Sequence, residues 1–109
     1  MGLTETEKKE LKKIKQAIEK KFPGEVQRML VFGSKARGTA TEDSDLDLLM
    51  VVSTKDADVH SRMRYLVYDF DEDFSLNISA HVMTAAHFAH INKKRYSFAR
   101  SIEQHHELV

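Results

Sequence analysis

The stretch MLVFGSKARGTATEDSDLDLLMVV, residues 29–52, sets two apolar runs around a polar centre. The first run stops at Gly33, and the second is apolar at nearly every position after Asp47. A short apolar run that ends at a glycine is typical of a strand entering a sheet, and a continuous run predicts a strand covered on both faces. We therefore predict strands at 25–32 and 46–52, joined by a polar connection with at most one short helix.

Amphipathic helices are predicted around this pair of strands. Thr4 or Thr6 is placed to cap a first helix, whose apolar positions recur at helical spacing until Pro23-Gly24 ends it. The remaining predicted elements are a helix at 58–70, a strand at 74–84, a helix at 85–101, and a tail or short edge strand after it. This order predicts an α/β (α+β) domain, with a small mixed β-sheet and helices packed on one side.

Length and composition narrow the class of protein. A chain of 109 residues suits one domain, 1–109, and a hydrophobic fraction of 41% argues against disorder. Lys+Arg and Asp+Glu both number 17, so nucleic acid is not an expected partner. No apolar run suits a membrane span or signal peptide, and the absence of Cys excludes thiol chemistry. We expect a cytoplasmic protein with no membrane partner.

The polar centre holds a candidate site for metal and phosphate. Residues two apart on a strand share a face about 6.6 Å apart, so Asp45 and Asp47 can aim carboxylates into one pocket that suits Mg²⁺. Two such ions, roughly 3.5–4 Å apart, would clamp a phosphoryl displacement. Gly33-Ser34 offers a turn whose backbone N–H groups can bind phosphate. Lys35 and Arg37 stand beside it to offset triphosphate charge, although an ordinary turn followed by an acidic loop is the simpler reading of each piece.

The spacing of these residues resembles a known family. Gly33-Ser34, ten residues, then Asp45-Leu46-Asp47 is similar to the G-S-x10-D-x-D signature of minimal nucleotidyltransferases, small members of the DNA polymerase beta superfamily. The resemblance implies a nucleotidyltransferase fold, with Gly33 and Ser34 binding the triphosphate and Asp45 and Asp47 binding Mg²⁺. It also implies transfer of a nucleoside monophosphate from an NTP, with ATP the expected donor, to an acceptor hydroxyl.

One position departs from the family pattern. Members of the superfamily usually carry a third carboxylate on a later strand, and the similar segment here, Ala80-His81-Val82-Met83-Thr84, has His81 at that place. A neutral imidazole can accept a proton but is a poorer ligand for Mg²⁺, so His81 is a candidate catalytic residue or a strand residue with no role. The acidic group at 69–73 is interpreted as a solvated turn.

The family resemblance also implies partners. Minimal nucleotidyltransferases are frequently paired with a separate HEPN-type helical protein in toxin–antitoxin modules, where the nucleotidyltransferase is the antitoxin and can modify its partner with AMP. Two alternatives remain open. One is a nucleotide-binding or partner-binding module that lacks the third carboxylate and transfers weakly or not at all. The other is a structural protein with a vestigial pocket.

Overall fold

The computed structural model describes residues 2–41, 44–74, 76–94, 102 and 106–109. The helices are α1 (Glu5–Lys21), α2 (Ser34–Arg37), α3 (Ala57–Phe74) and α4 (Ala85–Lys94). The strands are β1 (Val26–Phe32), β2 (Leu46–Val52), β3 (Ile78–Thr84) and β4 (Glu107–Leu108). These strands form one sheet in the order β3-β2-β1-β4.

The sheet is mixed, as predicted. Strand β1 pairs antiparallel with β2 and β4, whereas β2 and β3 are parallel. The register places Phe32 opposite Asp47, and Asp47 opposite Ser79. The end of β1 and the starts of β2 and β3 therefore meet at one edge of the sheet.

Strand β2 is covered on both faces, as its continuous apolar sequence predicts. Its neighbours Leu48 and Leu49 point to opposite faces and both are fully buried. Helices α1 and α3 pack on the face of Leu48, and Phe88 of α4 with Ile102 packs on the face of Leu49. The central strand is thus held from both sides, whereas helices on one side only were predicted, and this packing fixes the position of the carboxylates at its start.

Helix α1 begins at a capping box. The Thr4 hydroxyl accepts the Glu7 backbone N–H at 3.1 Å, and the Glu7 carboxylate accepts the Thr4 N–H at 2.9 Å. Of the two threonines that the sequence offered, Thr4 is therefore the cap. The helix ends with Phe22 as its C-cap, immediately before Pro23.

The connection between α3 and β3 differs from the predicted one. Helix α3 continues to Phe74, and β3 begins at Ile78 rather than at residue 74. The Asp71 carboxylate accepts the backbone N–H groups of Leu76 at 2.7 Å and Ile78 at 2.9 Å. The interpretation of the acidic group as a solvated turn is therefore wrong for Asp71, which fastens the start of an edge strand to a helix.

At the carboxyl end of the chain, helix α4 begins at Ala85 as predicted, and positions 95–101 of the predicted helix lie outside the described residues. The last residues form the short edge strand β4. Within the part of the chain that is described, no helix is long and apolar enough to cross a membrane.

Candidate functional site

The turn after β1 depends on Gly33. Its φ of 77° and ψ of −152° lie in a region that glycine alone adopts readily. Helix α2 starts at the next residue, Ser34, and the Gly33 carbonyl accepts the Arg37 N–H at 3.1 Å. A Cβ added at Gly33 would overlap Oδ2 of Asp47 and lie 3.3 Å from its Cγ. The predicted phosphate-binding turn and a predicted metal ligand are therefore in direct contact.

Asp45 and Asp47 lie where β2 begins, on the face that carries Leu49. Just before them along the chain, the Ser44 hydroxyl accepts the Thr41 N–H at 2.8 Å. Asp47 is partly buried beside Gly33, and Asp45 is exposed one pleat earlier. The structure thus brings together the two carboxylates and the glycine turn, as the sequence predicts.

Asn77 contacts Asp45, and no sequence motif predicted this contact. Its side-chain amide donates to Oδ1 of Asp45 at 2.8 Å, and its carbonyl accepts the Leu46 N–H at 2.9 Å. Its φ of 57° is left-handed, a conformation that asparagine tolerates better than most residues. Asn77 therefore joins the start of β3 to the start of β2 and orients one oxygen of Asp45.

The surroundings of the Asp47 carboxyl group have opposing effects on its pKa. Burial raises its pKa and the neighbouring Asp45 carboxylate raises it further, while His81 and Arg37 lower it, and the balance leaves the pKa above the usual aspartate value. Burial and a like charge both disfavour the ionised form. A bound cation would relieve both effects, so the two carboxylates fit a divalent ion that takes its other ligands from water and phosphate oxygens.

His81 shares a face with these carboxylates but lies one pleat further along. In the register, Ser79 stands opposite Asp47 and His81 opposite Leu49. The His81 ring is 5.5 Å from that of Phe32 between centroids, and its Nε2 lies 3.3 Å from the Ser79 hydroxyl. Among the described residues, no three His, Asp or Glu side chains converge closely enough to hold a metal ion.

Lys35 and Arg37, which are the two predicted phosphate-binding cations, lie beside different carboxylates. The Lys35 ammonium lies 2.9 Å from Oε2 of Glu7 in α1, and the two side chains are only 13% and 12% exposed. Arg37 is exposed and lies near enough to Asp47 to lower its pKa. Arg37 is therefore the cation beside the carboxylates, and the role of Lys35 in nucleotide binding stays a prediction.

Residues 11–107 match the family model described as Nucleotidyltransferase domain. The chain belongs to this family. The predicted family resemblance and the predicted fold are thereby confirmed. The match covers the glycine turn, the two carboxylates and His81, while the role of each of these residues stays a prediction.

Curated relatives come from Methanocaldococcus jannaschii, and both are provisionally named protein adenylyltransferases. One is 42% identical over 45 residues, which are 41% of this chain and 45% of the relative. The other is 37% identical over 67 residues, which are 59% of this chain and 46% of the relative. The aligned part is thus less than half the length of either curated relative.

Solved structures share the fold. A protein of Sulfolobus solfataricus, provisionally described as a nucleotidyltransferase, is 31% identical, with a TM-score of 0.56 over 80% of this chain and 70% of that one. A chain from a structure of a toxin–antitoxin with AMP-PNP gives a TM-score of 0.59 over 92% of this chain and 69% of that one. The second is 14% identical, so its likeness concerns the fold alone.

Proposed function

We propose that this chain transfers a nucleoside monophosphate from an NTP, with ATP as the expected donor, to a hydroxyl group on a protein partner. The observation that carries the proposal is the contact between the Gly33 turn, the proposed phosphate-binding element, and Asp47, a proposed metal ligand. Names of the curated relatives support a protein acceptor and an adenylyl group.

Each residue of the pocket has a distinct binding role in this proposal. Backbone N–H groups of Gly33 and Ser34 bind triphosphate oxygens, and the Arg37 guanidinium offsets their charge. Asp45 and Asp47 hold Mg²⁺, as one or two ions, with phosphate oxygens and water completing the coordination. When bound, Mg²⁺ supplies charge neutralisation on the phosphates. Asn77 keeps Asp45 turned towards the pocket through its amide hydrogen bond.

The transfer step balances without a further reactant. The acceptor hydroxyl oxygen forms a bond to the α-phosphorus, and the bond from the α-phosphorus to its bridging oxygen breaks. Pyrophosphate leaves with that electron pair, and the hydroxyl proton passes to the His81 imidazole. His81 is the proposed proton acceptor because imidazole can accept a proton and because the strand register places His81 on the face of the sheet that carries Asp47.

A binding module is the second candidate function. The segment 77–81, which lies beside the two carboxylates, favours this candidate. Its polar residues are Asn77, Ser79 and His81, and none of them is acidic. Loss of one carboxylate ligand can remove transition-state stabilisation and leave nucleotide affinity largely intact. In that case the chain binds nucleotide and a partner but transfers slowly or not at all.

The proposed partner is a HEPN-type helical protein, with this chain acting as the antitoxin that modifies it. Support comes from the family resemblance and from the fold shared with a chain of a toxin–antitoxin structure that contains AMP-PNP.

A transfer assay tests the proposal. The purified chain is incubated with each NTP labelled on its α-phosphate, with MgCl₂, and with or without a HEPN-type protein from the same source. We expect label to reach protein and pyrophosphate to form in equal amounts, and both to disappear in Asp45→Asn and Asp47→Asn. Asp69→Asn, an exposed carboxylate on α3, is the matched control and is expected to keep full activity.

The substitution His81→Asp separates the two candidate functions. If the natural chain is a crippled enzyme, restoring a carboxylate raises transfer, whereas an enzyme that uses the imidazole loses it. His90→Asp, on the exposed surface of α4, controls for the change in charge. Nucleotide binding with no transfer by either form supports the binding module, and absence of both binding and transfer contradicts both candidates.

A further inference from the structure

We infer that Glu7 is a positioning residue for the nucleotide, holding the Gly33-Ser34 turn in place by an ion pair with Lys35. Lys35 is then a brace of the turn and does not bind phosphate. This inference rests on the proposed function, because it assigns to α1 a part in the site that binds the triphosphate.

One carboxylate makes both of the contacts that carry the inference. Oε1 of Glu7 accepts the backbone N–H of Thr4 at 2.9 Å, which closes the capping box of α1. Oε2 of Glu7 lies 2.9 Å from the ammonium of Lys35, the residue that follows Gly33-Ser34. The start of α1 and the start of α2 are thus tied through a single side chain.

The ion pair differs from the ordinary surface pairs of α1. Glu5 and Lys8 are 3.7 Å apart with side chains 92% and 43% exposed, whereas Glu7 and Lys35 are almost entirely covered. Burial opposes ionisation of Glu7, but the hydrogen bond from the Thr4 backbone and the Lys35 ammonium outweigh it and hold its pKa below the usual value. Glu7 is therefore charged at neutral pH, and each partner depends on the other for compensation.

Helix α2 needs such an anchor. It has four residues and buries none of them, and it follows a glycine whose backbone is unusually free. The segment before α1 passes beside it, because a Cβ added at Gly2 would lie 3.5 Å from the Lys35 carbonyl oxygen. Leu3 of that segment packs on the core. Helix α1, which is fixed by its buried residues Leu11, Ile14 and Ile18, is thus a rigid element to which Lys35 fastens the turn.

A double-mutant cycle in ATP affinity tests the inference. The dissociation constant of ATP with MgCl₂ is measured by calorimetry for the wild type, Glu7→Gln, Lys35→Met and the double variant. Gln keeps an amide oxygen that can accept the Thr4 N–H, so the cap survives. We expect each single variant to weaken binding by a similar factor, roughly two- to tenfold, and the double variant to be no weaker than either. Glu5→Gln, in the same helical turn, is the matched control and is expected to bind as the wild type does.

The two possible roles of Lys35, bracing the turn or binding phosphate, predict different ATP affinities for these variants. If Lys35 binds phosphate, Lys35→Met weakens binding while Glu7→Gln, which releases the ammonium, leaves it equal or tighter, and the inference is overturned. Equal affinity in all four proteins also overturns it and leaves the proposed function standing. A wild type that does not bind ATP overturns the proposed function, and the inference with it.

Lysine reactivity in the wild type provides a measurement that does not depend on any variant folding. The chain is treated with acetic anhydride with and without ATP, and the modified lysines are quantified by mass spectrometry. We expect Lys35 to react several-fold more slowly than Lys8 in both conditions, since Glu7 covers it. A Lys35 that reacts as fast as Lys8 and is protected only by ATP would contradict the brace.

Discussion

Three glycines of the described residues share almost the same left-handed φ and differ in what surrounds them. The angle is 76° at Gly24, 77° at Gly33 and 76° at Gly38. A side chain at Gly24 or Gly38 would meet nothing within 4 Å, while one at Gly33 would overlap the carboxylate of Asp47. Backbone strain is therefore common to all three positions, and the effect on the site is specific to Gly33.

Gly33→Ala is expected to abolish nucleotidyl transfer. Gly24→Ala and Gly38→Ala should each cost on the order of 1–2 kcal/mol of stability through the positive φ, and Gly33→Ala should cost at least as much, because its ψ of −152° lies outside the left-handed helical region. Only Gly33→Ala also displaces Asp47, so a transfer assay combined with thermal melts should separate it from Gly24→Ala and Gly38→Ala. Equal transfer activity in the three variants would show that the contact between Gly33 and Asp47 does not affect transfer.

Asp47 carries a conflict between stability and the proposed chemistry. Its pKa in the folded protein is raised, so in the metal-free protein its ionisation destabilises the fold at any pH above its pKa in the unfolded chain. Asp47→Asn should therefore raise Tm by a few degrees at neutral pH in the presence of a chelator, while removing transfer. Added MnCl₂ should raise Tm for the wild type and leave the variant unchanged. A lower Tm for the metal-free variant would refute this account of Asp47.

At the scale of elements, side chains of α3 supply hydrogen-bond acceptors for the N–H groups on the outer side of the edge strand β3. Asp71 accepts the N–H of Ile78 and that of Leu76, two residues before the strand, and the Tyr68 hydroxyl accepts the N–H of Ala80 at 3.3 Å. Since Asn77 immediately precedes β3, and Ser79 and His81 lie on it, these helix-to-strand bonds also hold the residues of the candidate site that lie beside the two carboxylates. An otherwise open strand edge is thereby closed where it approaches the carboxylates.

Asp71→Ala is expected to destabilise the domain by about 1–3 kcal/mol, because two partly buried N–H groups lose their acceptor. Asp69→Ala, an exposed change in the same helix, should stay within about 0.5 kcal/mol of the wild type. Urea unfolding of the two variants measures the difference. Equal midpoints would mean that the hydrogen bonds of Asp71 do not hold β3 in solution.

At the scale of the whole molecule, the ion pair of Glu7 should make stability depend on pH. The pKa of Glu7 is lowered in the folded protein relative to its ordinary value of 4.5, so its contribution is fully present above that value and is lost as pH falls through the folded pKa. The wild type should exceed Glu7→Gln in unfolding free energy at neutral pH, and the gap should close in acid. Urea melts across this range check it, with Glu5→Gln as the control that shows no such gap. A difference in unfolding free energy that widens in acid would contradict the lowered pKa of Glu7.

Sequence patterns predicted most of the architecture because they are local. The continuous apolar run of β2 was predicted at its actual bounds, and the apolar stripe and cap of α1 predicted that helix to within a residue or two. The predicted start of β3 was wrong by four residues. There the local alternation begins early, but α3 keeps the chain helical to Phe74, and Asp71 then sets where β3 starts.

The sequence by itself determined the positions of the glycine turn and the paired carboxylates on the strands, since these are fixed by spacing along one chain and by strand periodicity. Only the tertiary structure decided what lies around them. Gly33 meets Asp47, Asn77 orients Asp45, and Lys35 is bound to Glu7, because these partners are distant in sequence and are brought together by the pairing of strands and the packing of α1. Spacing along the chain carries no record of such contacts.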